Sequence, residues 1–171
     1  FWTVSLASMM GKGSRILAIE PDARNIVYLK KNASAYDTHV EVLNIGISSD
    51  VGAAVLNTDE TGALNSIEMA NEAAYTGQEK IVVETIDSIA ERLGAPDFIK
   101  LDVEGHEYDV IRGGMFTLQR KKTIWLIEVT NNGPAVIELL QKTGHIVVNM
   151  LGEEISHAEY YVGAIPVEIY H

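Results

Sequence analysis

The sequence predicts an α/β protein built on a mostly parallel sheet with helices on both faces. Short β-prone apolar runs at 15–19, 40–45, 98–101 and 124–129 alternate with stretches of helical period. Glycine, proline and Asx or Ser/Thr punctuation separates them. No internal repeat or low-complexity run competes with that alternation. At 171 residues and 47% hydrophobic content, residues 1–171 are expected to form one domain able to bury its own core.

Taken in order, Trp2, Val4, Leu6, Met9 and Met10 give residues 1–10 a helical pattern that Gly11 and Gly13 end. Strand 15–19 stops at Glu20-Pro21-Asp22, where Pro21 cannot continue a ladder and Asp22 is suited to cap helix 23–35. Lys30 and Lys31 fall in the later turns of that helix, where the macrodipole favours cations. Strand 40–45 runs into Gly46 and the polar turn Ser48-Ser49-Asp50. Two further strands, 53–56 and 80–84, flank a long polar span whose length suggests a binding loop or lid, with Thr61, Asn65 and Ser66 as contacts.

Helix 86–93 ends at Gly94 with Pro96 behind it, and strand 98–101 follows. The next helical stretch is broken by Gly113-Gly114, which predicts two short helices or a kink. Strand 124–129 carries Glu128 near its end, before the turn Thr130-Asn131-Asn132-Gly133. Pro134 suits the first turn of a helix that runs to Lys142 and closes at Gly144. Strand 145–151, a polar link and a last strand over 162–170, interrupted by Pro166, complete the chain.

Charge and composition remove several classes of function. A formal net charge of −11 argues against a nucleic-acid partner, which would need clustered lysine and arginine. The basic triplet Arg120-Lys121-Lys122 reads as a solvated helix end. The absence of cysteine excludes disulfides, thiolate metal sites and cysteine nucleophiles. No apolar run approaches the roughly 20 residues that span a bilayer, so no membrane span and a cytoplasmic location are expected.

The chemistry concentrates where apolar strands give out. In open α/β sheets the carboxyl ends of the strands face the ligand crevice, and Glu20, Asp102, Glu104 and Glu128 all fall at such ends. Glu104, Glu107 and His106 are the bases available beside Asp102, and His106 has the most suitable ordinary pKa, about 6.5. Asp102, Glu104 and His106 also alternate in a way that, on a continuing strand, places three ligands for a divalent cation on one face, with Glu128 as a fourth.

Two segments carry a family resemblance. Ile16-Leu17-Ala18-Ile19-Glu20-Pro21-Asp22-Ala23, followed by Leu29-Lys30-Lys31-Asn32, is similar to an "FEP" strand end and its helix. Ile99-Lys100-Leu101-Asp102-Val103-Glu104-Gly105-His106-Glu107, continuing to Gly113-Gly114, is similar to an "IKIDVEG" signature. Weaker matches lie at Asn44-Ile45-Gly46-Ile47-Ser48, Glu84-Thr85-Ile86-Asp87 and Leu126-Ile127-Glu128-Val129. In these the chain resembles the FkbM family of S-adenosylmethionine-dependent methyltransferases.

The resemblance implies a Rossmann-like class I methyltransferase sheet of about seven strands with the last antiparallel. It implies that Glu20 accepts hydrogen bonds from the cofactor ribose, with Pro21 beside it, and that Ile47 borders the adenine. Asp102 would lie close to the donor methyl and orient donor or acceptor, and Glu104 would take the acceptor proton. The implied reaction is O-methylation of a hydroxyl on a small molecule or saccharide. The family's glycine-rich cofactor loop precedes its first helix, and Phe1 falls where that helix begins, so the loop and its strand are expected upstream of this sequence.

Two other readings stand beside this one. The chain as given is a catalytically silent fragment or binding module, in which a homodimer repairs the sheet. Alternatively, it is a divalent-metal-dependent enzyme using Asp102, Glu104 and His106.

Overall fold

A computed structural model describes residues 2–58, 67 and 77–170. The chain divides into two compact units, Phe1–Gly46 with Ala53–Val82, and Ile47–Gly52 with Val83–His171. Among the described residues no helix is long and apolar enough to cross a membrane.

The first unit opens with α1 (Trp2–Met9), β1 (Arg15–Ile19), α2 (Ala23–Ala33) and β2 (His39–Leu43). β1 and β2 pair in parallel from Arg15 opposite His39 to Ile19 opposite Leu43, as a helical crossover between strands requires. Asp22 is the cap expected of it: its Oδ1 accepts the Arg24 amide at 2.8 Å, and its carboxylate also holds the Arg24 guanidinium. Thr38, buried at the entry to β2, donates to the carbonyls of Ala7, in the last turn of α1, and of Met10 just beyond it, so tying the end of α1 to β2.

β3 (Gly46–Ile47), β4 (Gly52–Thr58) and β5 (Gly77–Glu84) form a three-stranded sheet in the order β3-β5-β4. The strand expected over 40–45 ends at Leu43, and β3 is too short, at two residues, to leave a periodic signal in sequence.

The second unit holds a four-stranded sheet in the order β6-β7-β9-β8, formed by β6 (Phe98–Leu101), β7 (Ile124–Glu128), β8 (His145–Val148) and β9 (Tyr161–Pro166). Its helices are α3 (Ile86–Leu93), α4 (Glu107–Arg112), α5 (Met115–Gln119), α6 (Gly133–Lys142) and α7 (Val167–Tyr170). Trp125 and Ile127 of β7, Val110 and Ile111 of α4, Leu118 of α5, Val136 and Leu140 of α6, and Val162 and Ala164 of β9 bury their side chains in one core. α3 begins in a capping box in which Thr85 and Ser88 satisfy each other's backbone amides. Gly113 and Gly114 separate α4 from α5, giving the two short helices expected.

Three expectations need correction. The sheets are mixed rather than mostly parallel: β1-β2 and β6-β7 are parallel, whereas β9 runs antiparallel to both β7 and β8. α6 returns the chain for β8, but no helix lies between β8 and β9, so the chain doubles back beside it. Strand 145–151 stops at Val148 because Asn149 Oδ1 accepts the amides of Leu151 and Glu153 and folds the backbone into a turn. The last strand stops at Pro166, and the helical turn α7 replaces its remainder.

Candidate functional site

The parallel register of β6 and β7 ends with Leu101 opposite Ile127, which brings Asp102 and Glu128 together at the carboxyl ends of the pair. On the other side of β7, Tyr161 of β9 lies opposite Glu128. Lys100 precedes Asp102 by two residues and so shares its face of the sheet. Its Nζ sits 3.5 Å from Glu128 Oε2 and 3.7 Å from Asp102 Oδ2, donates to the Leu101 carbonyl at 2.8 Å and lies 5.3 Å from the centre of the Tyr161 ring. Glu128, 5% exposed, accepts a short hydrogen bond from the Tyr160 hydroxyl and another from Tyr161.

Beyond Asp102 the backbone reverses through two left-handed residues, Glu104 at φ 48° and Gly105 at φ 99°. A non-glycine residue there is uncommon and marks a turn held by its surroundings. Glu107 is one part of that hold. Fully buried, it accepts the Gly105 amide and the Thr130 hydroxyl, each at 2.8 Å, on Oε1, while Oε2 has no hydrogen-bond partner among the described residues. The turn therefore carries Glu104 beside Asp102 and Glu128, and a ligand oxygen from each of the three carboxylates lies within 4.8 Å of the others.

This crowding sets the electrostatics. Burial, with repulsion from Glu128 and Glu107, holds the Asp102 carboxyl above its usual range against the pull of Lys100. Burial and the charges of Asp102, Glu128 and Glu107 do the same to Glu104. Burial also pushes Glu128 upward, but the Tyr160 and Tyr161 hydroxyls and Lys100 outweigh it and leave Glu128 below its usual range. The hydrogen bond to Glu128 pushes the Tyr160 phenol up to about 12. Burial depresses the Lys100 ammonium despite its two acids.

His106 takes a different place. It is 3% exposed, its Nε2 lies 2.9 Å from Ser48 Oγ, and its Nδ1 has no hydrogen-bond partner among the described residues, with Asp109 Oδ2 at 3.9 Å. Among the described residues, the acids grouped closely enough to bind a cation are Asp102, Glu104 and Glu128, a set without His106. The Lys100 ammonium already supplies one positive charge to Asp102 and Glu128.

In the first unit, Glu20 Oε1 accepts the Asp22 amide at 2.9 Å, and burial raises its carboxyl while hydrogen bonds from Asp22 and Asn25 oppose the rise. A carboxylate offers about four acceptor positions, so these bonds leave capacity for a vicinal diol. Asn44 Nδ2 donates to the carbonyls of Glu20 and Pro21 and fixes their turn. Ile47 is buried in β3 of the second unit. Thr61, Asn65 and Ser66 lie outside the described residues.

Sequence reasoning passed over Lys100, Tyr160 and Tyr161. The two-residue spacing of Lys100 and Asp102 was a usable signal, whereas the tyrosines reach Glu128 through an antiparallel pairing that no local pattern announces.

Fold and site together define an α/β protein with a carboxylate cluster at its parallel strand ends. Residues 1–150 match the family model described as the methyltransferase FkbM domain, and the chain belongs to that family. The crystal structure of methyltransferase FkbM from Methylobacillus flagellatus KT is similar in fold, with a TM-score of 0.57 and 19% identity. The match covers 94% of this chain and 40% of that one, so this sequence spans well under half the length of its structural relative. Comparison with curated proteins gives no match.

Proposed function

We propose that this chain forms part of an S-adenosylmethionine-dependent O-methyltransferase of the Rossmann-like class I type, acting on a hydroxyl of a small molecule or saccharide. The observation that supports it most is the meeting of Asp102 and Glu104, from the segment that carries the family signature, with Glu128 at the ends of parallel strands. Several carboxylates around one lysine suit a cationic ligand.

The cofactor, when bound, supplies an electrophilic methyl group on a sulfonium. Glu20 accepts hydrogen bonds from its ribose, with Pro21 and Ile47 as neighbouring contacts, and Asp102 orients the reacting groups. Such alignment supplies up to about 7 to 11 kcal/mol in favourable systems. Glu104 takes the proton of the acceptor hydroxyl: a carboxylate raised above its ordinary range is a stronger base. His106 is second for that role because Ser48 engages its Nε2.

Calorimetric titration of the full-length protein with S-adenosylmethionine tests this reading. Saturable binding, strongly weakened by Glu20→Ala or Asp102→Ala, is expected, and no binding by the full-length protein sinks it. A second reading, a divalent cation held by Asp102, Glu104 and Glu128, draws on their mutual 4.8 Å spacing and predicts stoichiometric metal on elemental analysis.

A further inference from the structure

At the carboxyl ends of β6 and β7 negative charge is in surplus. Asp102, Glu104 and Glu128 bring ligand oxygens within 4.8 Å of one another, and the buried Glu107 carboxylate stands close enough to act on both Asp102 and Glu104. Hard oxygen donors at such spacing suit a divalent ion of the calcium or manganese kind. Access does not prevent one from arriving, because the Asp102 side chain is 36% exposed and leaves the cluster open to solvent on that side. Whatever selects among cations here acts through charge.

Lys100 is that charge. Its side chain is only 6% exposed, and its Nζ lies 3.5 Å from Glu128 Oε2 and 3.7 Å from Asp102 Oδ2 while donating to the Leu101 carbonyl. A divalent ion takes carboxylate oxygens at about 2.0 to 2.6 Å, so one seated on those two oxygens lies within about 6 Å of the ammonium. A surface lysine relieves such repulsion by swinging its flexible stem into water. Lys100 lacks that freedom, because the stem is enclosed and the ammonium is tied to backbone.

Glu128 is committed further by the Tyr160 and Tyr161 hydroxyls, which donate to it. A metal ion seated there displaces these bonds or shares their oxygens. A singly charged organic cation meets half the repulsion at a given distance and needs no seat on the oxygens themselves.

We propose that Lys100 determines the cation specificity of this cluster: its ammonium takes the part of a metal ion and keeps divalent cations from Asp102, Glu104 and Glu128. A neutral residue at position 100 then opens a divalent-ion site there. The inference opposes the divalent-cation reading above and goes beyond the methyl-transfer reading, since neither cofactor nor acceptor enters it.

The test is manganese(II) binding by the full-length protein without cofactor, read by calorimetry and by loss of the free-ion EPR signal. Lys100→Met and Lys100→Gln should each bind one manganese ion about tenfold or more tightly than the parent. Two neutral variants are used because Lys100→Met leaves the buried acids uncompensated, whereas Lys100→Gln keeps a donor for the Leu101 carbonyl. Adding Asp102→Asn to either should abolish the gain. Thermal melts supply a second readout: manganese should raise the Tm of the neutral variants more than that of the parent, because the ion binds the folded state. The proposal is overturned if the parent binds manganese as tightly as the neutral variants, if neither variant gains affinity, or if the gain survives Asp102→Asn.

Discussion

Lys100 Nζ lies 3.5 Å from Glu128 Oε2 across the β6-β7 pair, with both side chains at most 7% exposed. Removing one partner of such a pair leaves a buried charge uncompensated, typically at a cost of about 3 kcal/mol or more. Lys100→Met should therefore unfold in markedly less urea than the parent at neutral pH. Adding Glu128→Gln should recover part of the loss, and a double-mutant cycle with no coupling would contradict the pairing.

Asp102 is strained in the opposite sense. Its folded pKa lies above the ordinary 3.8, so its ionised form costs stability at neutral pH, and the cost vanishes as pH falls below 3.8, where both states are protonated. Asp102→Asn should stabilise the protein by on the order of half a kcal/mol after solvent screening, roughly 1 to 2 °C in Tm. Glu128 behaves inversely. Its lowered pKa contributes stability that is present above the ordinary 4.5 and lost as pH falls through the folded value. Thermal melts of both variants across acidic to neutral pH read the two signs.

Glu107 holds the left-handed turn from beneath through Gly105 and Thr130. Glu107→Ala should cost about 2 to 4 kcal/mol in urea denaturation and Thr130→Val about 1, with a shortfall from additivity when combined. Additive losses would show that the Thr130 hydroxyl does not act through Glu107.

Gly113 sits at φ −69°, open to any residue, so its constraint is one of space. A Cβ there would fall 2.1 Å from the Ser48 carbonyl oxygen and 3.1 Å from its carbon, and backbone cannot yield as a side-chain tip does. Gly113→Ala should lose roughly 2 kcal/mol or more, whereas Gly52→Ala, with nothing within 4 Å of the added carbon, should stay within about half a kcal/mol.

The parts of this fold legible in sequence are those set by local rules. Asp22 before an amphipathic run, Gly113-Gly114 between two apolar stripes, and Pro134 at a helix start each fix their element through neighbouring residues. β9 was legible as a strand, but its antiparallel direction came only from the family resemblance and from no local pattern, because direction depends on which strand the chain returns to. The candidate site divides the same way. Asp102 and Glu104 announce themselves at the end of an apolar run, while Lys100 reads as an interruption in that run until the register shows Glu128 waiting for it. The tyrosines of the 160–161 pair needed the folded sheet to acquire any meaning.

The hydrogen bonds of Tyr160 and Tyr161 to Glu128 also give the acid cluster an optical reporter. In an alkaline absorbance titration Tyr160, pushed up to about 12, and Tyr161, raised by the same carboxylate, should ionise late. Glu128→Gln, which removes that carboxylate, should bring the late step back toward the ordinary phenol range near 10, so the state of Glu128 can be read from tyrosine absorbance without a label.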